Sequence, residues 1–421
     1  MKACVFTLGC KQNEVESASL MQGLIERGWE VTDELSSADL YLLNTCAVTA
    51  EAERKSRQAI ARMRKHSEIA PIAVFGCAAQ NNPTAFAEKE GVAFVSGAMR
   101  KDKVLEYIDR MQGSMPEETC KAGSGEIITQ SESVFCELPV PARTKTRAYL
   151  RIQDGCNRFC SYCLIPYLRG RSRSRSFESV LAEAKACGAK EIVITGIDLS
   201  SYRDEGRGLG DLLTALADMP ARIRLGSLEV SVITEDFLAK MKAAKNVMPH
   251  FHLSLQSGSN RVLRAMNRRY TREEYLAACN RIYQYFPEAA ITTDIIVGFP
   301  EESEADFEES LSILEEAGFS KIHAFPFSMR QGTAAAKRKD LAGAVKKERM
   351  ARMLVACRAT EEKYLARFIG SVQKALFEDD GGYTENYVRV YCDRAFEGGM
   401  YEVRLLEPYR DGARCEIIKE L

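Results

Sequence analysis

The stretch DGCNRFCSYC covers residues 154–163 and places Cys156, Cys160 and Cys163 in a C-x3-C-x2-C spacing. A structural zinc site needs four protein ligands, and no other Cys or His lies within a few residues of this group. Three thiolates can instead hold a four-iron cluster and leave one iron open to a small molecule. Cysteines that merely pack are a poor alternative, because these three fall close together without a framework of paired cysteines. The stretch therefore predicts an iron–sulfur site.

The composition bounds the class of protein. With 421 residues, 46% of them hydrophobic, the chain can bury a substantial core and predicts two or three domains. Fourteen cysteines without an export signal favour a reducing, cytoplasmic location, where clustered thiols bind metal. No apolar stretch approaches the length of a membrane span, which predicts that the protein has no membrane partner. A net charge of −1 restricts any nucleic-acid surface to local patches.

The first hundred residues alternate short apolar runs with helix-like stretches, which predicts a parallel α/β domain over residues 1–112. Cys10, Cys46 and Cys77 each follow a predicted strand directly, at separations of 36 and 31 residues. Because ligands bind at the carboxyl edge of a parallel sheet, three such cysteines can form one site. On the residues alone, the alternative stays open that each small cysteine simply fits a tight turn.

Residues 147–367 repeat a strand and a helix six times, about thirty residues apart, which predicts a partial (βα)6 barrel. The C-x3-C-x2-C group follows the first of these strands, at the edge where barrels build their sites. Contacts to a small-molecule cofactor are expected after the other strands. The candidates are Thr195, Gly196, Glu229, Gln256, Asp294 and Gly298. For each one an ordinary turn, cap or backbone-bonding role is the alternative.

Two further segments differ in character from these domains. Residues 113–146 are rich in Gly, Ser, Pro and charge, which predicts a linker. Residues 368–421 form short β-rich runs between Gly-containing turns, which predicts a small antiparallel β-barrel. Residues 373–421 carry 7 Lys+Arg against 11 Asp+Glu, a net charge of −4, so charge gives no support for RNA binding there.

Basic residues alternate immediately after the C-x3-C-x2-C group, at Arg169, Arg171, Arg173 and Arg175. A run of charge is usually a solvated face, but intervening carboxylates do not neutralise this one. We therefore expect these arginines to contact RNA phosphates close to the predicted iron–sulfur site. His252 and His323 lie within predicted strands and are expected to be interior residues, not metal ligands.

These motifs resemble those of a known family. Residues 154–163 resemble the radical S-adenosylmethionine (SAM) signature, and GCKQN, NTCAVT and Gly76 with Cys77 resemble the cluster-binding segments of the methylthiotransferases' flavodoxin-like N-terminal domain. GYTENYVRV resembles part of a TRAM domain. GFPEESEADF departs from the family, because Glu301 stands where glycine is usual.

The resemblance implies two 4Fe-4S clusters, one held by Cys156, Cys160 and Cys163 and open to SAM, the other an auxiliary cluster held by the N-terminal cysteines. It also implies that one SAM methylates a sulfur at the auxiliary cluster, while another yields a 5′-deoxyadenosyl radical. That radical removes hydrogen from an unreactive C–H carbon, which then takes up the methylthio group. The implied partners are the tRNA anticodon loop, an electron donor such as flavodoxin or ferredoxin, and a sulfur donor.

The resemblance also predicts a substrate. ERKSRQAI, LRAMNRRYTREEY and the residues around the C-x3-C-x2-C group are most similar to the MtaB-like branch, which methylthiolates C2 of N6-threonylcarbamoyladenosine at tRNA position 37. The alternatives are isopentenyladenosine at the same position and an aspartate of a ribosomal protein. A different class remains open: an iron–sulfur redox sensor that binds RNA, which would need the cysteines but not the SAM contacts.

Overall fold

A computed structural model describes residues 1–111, 125–130, 133–141, 146–378, 381–393 and 396–421. The chain divides into two compact units. The first contains Met1–Ala142, Gln153–Arg175 and Ser328–Ala334, and the second contains Arg143–Ile152, Ser176–Phe327 and Ala335–Leu421. No helix in the described ranges is both long and apolar enough to cross a membrane. Much of the predicted linker over residues 113–146 lies outside the described residues, and the boundaries at 112, 146 and 367 stay predictions.

The first unit contains a sheet of six parallel strands in the order β2-β1-β3-β4-β5-β6. The strands are β1 (Lys2–Thr7), β2 (Glu30–Thr32), β3 (Leu40–Thr45), β4 (Ile72–Gly76), β5 (Val92–Ser96) and β6 (Glu126–Ile128). The helices between them are α1 (Lys11–Ile25), α2 (Ala50–Arg64), α3 (Cys77–Asn81), α4 (Pro83–Ala87) and α5 (Asp102–Met111).

Burial explains why the central strands read as continuous apolar runs. Every residue of β3 and β4 is buried, as expected for parallel strands with helices on both faces. Helix α2 begins after Thr49, whose hydroxyl accepts from the backbone N–H of Ala52 and so caps the helix. The predicted parallel α/β fold of this region is confirmed.

The next strand along the chain, β7 (Arg147–Arg151), belongs to the second unit, whereas the following residues return to the first. Those residues form β8 (Gln153–Asp154), α6 (Ile165–Leu168) and β9 (Arg173–Ser174), with β8 and β9 paired antiparallel. The cysteines of the C-x3-C-x2-C group lie in the irregular loop between β8 and α6.

The second unit builds the barrel from parallel strands in two runs, β13-β10-β7 and β14-β15-β16-β17. The remaining strands are β10 (Glu191–Thr195), β11 (Arg203–Asp204), β12 (Arg207–Gly208), β13 (Arg222–Leu225), β14 (Ser227–Leu228), β15 (His250–Leu253), β16 (Ala290–Val297) and β17 (Lys321–Pro326). The helices are α7 (Phe177–Ala186), α8 (Leu209–Ala215), α9 (Glu235–Ala243), α10 (Asn260–Ala265), α11 (Arg272–Tyr285), α12 (Glu304–Ala317) and α13 (Gly343–Ala366), with 3-10 turns at Leu199–Ser201, Val230–Val232 and Ala335–Lys337.

The six predicted barrel strands are all present in chain order. Only Gly226 separates β13 from β14, so these two short strands together form the third predicted strand. The partial (βα)6 barrel is thereby confirmed.

The C-terminal residues of the second unit form a closed barrel in the order β18-β19-β20-β22-β21. Its strands are β18 (Val372–Glu378), β19 (Gly381–Thr384), β20 (Arg389–Tyr391), β21 (Met400–Tyr409) and β22 (Gly412–Glu420). The pairings are antiparallel except for β20 with β22, which run parallel. The small β-barrel predicted from the alternating pattern is confirmed, with that one departure.

Glu301, which stands where the family usually has glycine, adopts a backbone conformation typical of glycine. Glu301 has φ 65°, in the left-handed region that glycine adopts without strain. The turn is held from outside, because Arg261 donates to the Glu301 carbonyl at 2.7 Å and Arg338 pairs with its carboxylate at 3.0 Å. The left-handed turn at Glu301 is thus accompanied by one hydrogen bond to its carbonyl and one ion pair to its carboxylate.

Candidate cluster and cofactor sites

The three N-terminal cysteines lie at the carboxyl ends of three adjacent strands. Cys10 follows β1 and precedes α1, Cys46 follows β3, and Cys77 opens α3 directly after β4. These strands are neighbours in the sheet, in the order β1-β3-β4. Because adjacent strands are about 4.8 Å apart, the sheet gathers all three thiols at one edge.

Two glycines let the cysteine loops approach one another closely. Gly9 has φ 120°, and a Cβ placed there would lie 2.9 Å from Cβ of Cys46 and 3.1 Å from its Sγ. Gly76 has φ 101°, and a Cβ there would lie 2.7 Å from the carbonyl oxygen of Thr45. Side chains at these positions would push the loops apart. The glycines thus permit the loops that carry the three cysteines to lie close together, and the role of the thiols as cluster ligands stays a prediction.

The three thiols differ in exposure and in acidity. Cys10 is exposed, whereas Cys46 and Cys77 are buried. Burial raises the pKa of Cys46 to about 11, and the neighbouring thiols Cys77 and Cys10 act in the same direction. Burial also raises the pKa of Cys77, although Arg169 and Lys101 oppose the rise. Binding iron must therefore drive these thiols to lose their protons.

The C-x3-C-x2-C loop presents three half-buried thiols. Its entrance is fixed at Gly155, whose φ is 71° and where a Cβ would lie 2.1 Å from the carbonyl oxygen of Arg171. The backbone N–H of Cys156 donates to the carbonyl of Gly170 at 3.1 Å, and the N–H of Cys163 donates to the carbonyl of Cys160 at 3.0 Å. These bonds fold the loop back on itself and hold the cysteines in one short segment.

Three of the four arginines predicted to contact RNA are buried, so the prediction is wrong for them. Arg169 is 0% exposed, and Arg173 and Arg175 are each 6% exposed. Arg173 pairs with Asp154 at 3.1 Å and Arg175 with Glu137 at 2.9 Å. The carboxylates that neutralise this run are distant in sequence, which is why the local pattern could not show them. Arg171 is exposed and keeps its predicted role as a candidate RNA contact.

A buried group of charges lies beside Cys77. Arg169 pairs with Glu16 at 2.7 Å and with Asp154 at 3.0 Å, and Lys101 pairs with Glu16 at 3.0 Å. Nε of Arg169 donates to Sγ of Cys77 at 3.4 Å. With Arg173 on Asp154, the group holds three cations and two carboxylates, and its cations oppose, without outweighing, the rise that burial causes in the pKa of Cys77.

In the second unit, the predicted cofactor contacts follow the strands as expected, with one exception. Thr195 ends β10, Gly196 follows it, and Glu229 follows β14. Asp294 is the exception: it is the fifth of the eight residues of β16 and lies inside the strand, not at its end.

Backbone bonding brings two of these candidates together. The N–H of Gln256 donates to the carbonyl of Asp294 at 2.8 Å, and Gln256 has φ 69°, a left-handed conformation. Gly298 also has a positive φ, 74°, and its N–H donates to Glu302 at 3.0 Å. A turn alone therefore accounts for the glycine at 298, and its predicted contact with SAM stays an expectation.

Sequence reasoning missed the polar partners of the two carboxylates. Arg268 pairs with Glu229 at 2.8 Å, and the backbone N–H of Glu229 donates to Ser200 at 2.8 Å. Nε2 of His252 lies 3.3 Å from Asp294, and its Nδ1 lies 2.9 Å from the hydroxyl of Thr292. His252 thus has hydrogen-bonding neighbours in the barrel, as expected for an interior residue.

Each group of cysteines offers three thiolates, a donor set suited to a four-iron cluster. Within the described ranges, no three His, Cys, Asp or Glu side chains lie close enough together to hold one metal ion. A four-iron cluster spreads its thiolate ligands over separate iron atoms, so its cysteines need not crowd around one centre. Two groups of three thiols match two such clusters, each with one iron that no cysteine of its group holds.

The chain matches known families along most of its length. The radical SAM superfamily model matches residues 150–314, and the model described as uncharacterized protein family UPF0004 matches residues 2–97. Threonylcarbamoyladenosine tRNA methylthiotransferase MtaB of Bacillus subtilis (strain 168) is 35% identical, with 98% of this chain aligned to 96% of that protein. The MtaB of Aquifex aeolicus is 37% identical, covering 93% of this chain and 96% of that one. The tRNA-2-methylthio-N(6)-dimethylallyladenosine synthase of Acetivibrio thermocellus is 34% identical, covering 89% and 80%.

Solved structures show the same fold at low identity. The radical SAM methyltransferase TsrM from Kitasatospora setae superposes with a TM-score of 0.56 at 15% identity, covering 77% of this chain and 74% of that one. The cobalamin-dependent radical SAM enzyme OxsB superposes with a TM-score of 0.51 at 14% identity, covering 86% and 56%. These likenesses concern the fold alone.

The family indicates which cofactors the chain uses, and its two groups of three cysteines are suited to them. Radical SAM enzymes use S-adenosylmethionine with a 4Fe-4S cluster, and the methylthiotransferases carry a second cluster. Cys156, Cys160 and Cys163 offer three thiols, the number predicted for one cluster. The cysteines at the carboxyl ends of β1, β3 and β4 offer three more, and their assignment to the second cluster stays a prediction. By its relatives, its fold and its two thiol groups, this chain belongs to the radical SAM methylthiotransferases, as an MtaB-like enzyme that modifies tRNA.

Proposed function

We propose that this enzyme adds a methylthio group to C2 of N6-threonylcarbamoyladenosine at position 37 of tRNA. The observation that carries the proposal is the similarity to MtaB proteins: four of them are 34–39% identical and two are covered to 96% of their length, whereas two dimethylallyladenosine synthases are each 34% identical and covered to 80% and 77%. Isopentenyladenosine at position 37 is the second candidate, because those synthases are 34% identical.

The chemistry explains why the family needs these cofactors. Adenine C2 carries neither an acidic proton nor a leaving group, so polar catalysis has little to act on. Bound at the two thiol groups, the clusters and SAM supply a radical able to remove hydrogen and a sulfur able to carry the methyl group. The protein's task is to bind, orient and shield these groups. We propose that Cys156, Cys160 and Cys163 hold the SAM-binding cluster and that Cys10 and its two partners in the sheet hold the auxiliary one.

We further propose that candidates in the barrel bind SAM through polar groups. Glu229 and Asp294 carry carboxylates suited to an amine or to ribose hydroxyls, and Gln256 offers an amide. The backbone at Thr195, Gly196 and Gly298 completes the predicted set. We also propose that the reaction needs an electron donor and a sulfur donor as partners and that it takes place in the cytoplasm.

Deleting the gene is expected to abolish 2-methylthio-N6-threonylcarbamoyladenosine in cellular tRNA, because no other step of the proposed reaction supplies the methylthio group. Mass spectrometry of tRNA nucleosides measures this loss, and the intact gene is expected to restore the nucleoside. Loss of the isopentenyl analogue instead would move the substrate to the second candidate. If both nucleosides are unchanged, modification of a protein or a non-enzymatic redox role becomes the better interpretation.

An exposed aromatic and cationic surface next to the C-x3-C-x2-C loop is our candidate RNA contact. Tyr167 is 60% exposed, and its ring packs edge-on against Phe159 with centroids 5.5 Å apart. The guanidinium of Arg171 lies 4.6 Å from the Phe159 ring centroid. Aromatic rings and arginine planes of this kind stack on unpaired bases, while the charge meets phosphate.

Replacing Tyr167 with alanine is expected to weaken tRNA binding by about 1–3 kcal/mol, the usual loss of one stacked base. Arg171→Gln is expected to reduce the slope of log binding constant against log salt concentration by about one, the contribution of a single phosphate contact. Fluorescence anisotropy with labelled tRNA at several salt concentrations measures both effects. Arg54→Gln, on the exposed face of α2, is the control and is expected to change neither. Wild-type affinity and salt slope in both test variants would remove this surface from the RNA interface.

A further inference from the structure

Arg169 is fully buried and makes polar contacts along its entire guanidinium group. Nη1 lies 2.7 Å from Glu16 and 3.0 Å from Asp154, while Nη2 donates to the side-chain oxygen of Asn13 at 2.9 Å. Nε donates to Sγ of Cys77 at 3.4 Å. A single planar side chain therefore contacts two carboxylates, an amide and a thiol, which only the fork geometry of arginine permits.

The contact of Arg169 with Asp154 lies at the start of the C-x3-C-x2-C loop. Asp154 accepts from Arg169, from Arg173 at 3.1 Å and from the backbone N–H of Gly155 at 2.8 Å. Gly155 in its left-handed conformation immediately precedes Cys156. Arg169 therefore acts on the position of Cys156 through a single carboxylate and one backbone bond.

The contacts of Arg169 with Asn13 and Cys77 connect it to all three loops that carry the N-terminal cysteines. Asn13, which accepts from Arg169, itself donates to the carbonyls of Leu8 at 2.8 Å and Thr45 at 3.1 Å. Leu8 lies two residues before Cys10, and Thr45 immediately precedes Cys46. The third loop is met directly at Cys77. Each thiol of the auxiliary group is thus within two residues of an atom that Arg169 or Asn13 holds.

We propose that Arg169 is a positioning residue that ties the two cluster-binding segments together and raises the reduction potential of the cluster held by Cys10, Cys46 and Cys77. Hydrogen bonds to ligand sulfurs and nearby charge both set the potential of an iron–sulfur cluster. A buried cation and an N–H donor at Cys77 favour the more negative, reduced state. The proposal concerns the cluster environment and does not depend on which nucleoside the enzyme modifies.

A matched pair of lysine variants tests the N–H contact. Arg169→Lys keeps the positive charge next to Glu16 and Asp154, but one ammonium group cannot also reach Cys77 and Asn13. Arg173→Lys alters the other buried arginine on Asp154 and serves as the control, because it leaves the N–H contact from Arg169 to Cys77 unchanged. Both are made in the full chain with Cys156, Cys160 and Cys163 replaced by alanine, so that the auxiliary cluster alone is reconstituted.

We expect Arg169→Lys to shift the one-electron reduction equilibrium of the auxiliary cluster by about tenfold toward the oxidised state, about 59 mV by redox titration followed with electron paramagnetic resonance. Arg173→Lys is expected to leave that potential unchanged. Glu16→Gln removes a compensating anion and is expected to move the potential in the opposite direction. Iron content identifies any variant that has lost its cluster.

Wild-type potentials in both Arg169→Lys and Glu16→Gln, at full iron content, would overturn the proposal and leave Arg169 a purely structural residue. Glu16 also pairs with Lys101, so an upward shift in Glu16→Gln supports only the effect of charge on the potential. A cluster lost from Arg169→Lys but kept at full iron content in Arg173→Lys supports the positioning role of Arg169. The titration contains no tRNA, so its result is separate from the nucleoside assay of the proposed function.

Discussion

Replacing Cys77 with alanine is expected to abolish methylthio transfer to tRNA while leaving the reductive cleavage of SAM in place. Cys77 opens α3 at the end of the central strand β4, and its buried thiol accepts a hydrogen bond from Arg169 at 3.4 Å. Without this ligand, the auxiliary cluster loses one of its three thiolates. The cysteines of the C-x3-C-x2-C loop are untouched and retain their cluster and its bound SAM.

The loss is measurable at two levels. Iron content of the reconstituted protein is expected to fall from about eight to about four atoms per chain, as one of two four-iron clusters is lost. Formation of 5′-deoxyadenosine is expected to continue, while the methylthio nucleoside falls to background. Cys156→Ala is expected to give the converse result, with about four iron atoms retained at the auxiliary group and no 5′-deoxyadenosine.

Cys4→Ala is the matched control for these cysteine variants. Cys4 is buried in β1 of the same sheet, and its thiol donates to the backbone carbonyl of Glu34 at 3.4 Å, away from the thiol group at the carboxyl edge. Full iron and full activity are expected for this variant. If Cys77→Ala also kept all its iron and its activity, the auxiliary site would have to be moved to other residues.

Much of this site was predictable because its elements are local in sequence. The C-x3-C-x2-C spacing lies within one loop, and the other three cysteines each mark the end of an apolar strand. The repeat of strand and helix then predicts that Cys10, Cys46 and Cys77 share an edge. The sheet order β1-β3-β4 shows the reason: the three marked strands are immediate neighbours.

The arginine run could not be interpreted correctly from local sequence. The alternation from Arg169 to Arg175 resembles a phosphate-binding loop, but Glu16 is 153 residues from Arg169 in sequence. Neutralisation by a distant carboxylate is a tertiary property that no local window contains.

Helix α13 was not predicted for a related reason. Its buried positions include Arg349, Met353, Cys357 and Tyr364, so polar and small side chains interrupt the apolar stripe. Arg349 is buried because it pairs with Glu302 at 2.8 Å, again a partner distant in sequence. Periodicity of hydrophobic residues alone cannot mark such a helix.

Glu191→Ala is expected to destabilise the second unit strongly, lowering its free energy of unfolding by about 3–5 kcal/mol. Glu191 is fully buried at the start of β10 and pairs with Arg147 at 2.6 Å, Arg224 at 2.8 Å and Arg222 at 3.2 Å. Without its carboxylate, three clustered guanidinium groups would lose their shared anion. Burial and the neighbouring Arg224 already lower the pKa of Arg222 to about 10.

Acid is expected to reproduce part of this effect in the unmodified protein. Burial acts to raise the pKa of Glu191, but Arg224, Arg222 and Arg147 outweigh it, so the pKa of the folded state is lowered. A lowered carboxyl pKa stabilises the folded state above the ordinary glutamate pKa, and the stabilisation is lost as pH falls through the folded value. Glu191→Ala lacks this contribution, so its stability is expected to depend less steeply on pH in that acidic range.

Urea unfolding followed by circular dichroism compares Glu191→Ala with Glu178→Ala as the control. Glu178 also pairs with an arginine, Arg207, at 2.8 Å, but its side chain is 72% exposed, and such surface pairs contribute at most about 1 kcal/mol. The loss of stability should be larger for Glu191→Ala for a second reason. Arg224, which pairs with Glu191, also donates to the backbone carbonyls of Thr384 and Glu385. Loosening Arg224 thus weakens the attachment of the β18–β22 barrel as well as the start of β10. Equal losses of stability in the two variants would show that the shared carboxylate does not hold this arginine cluster together.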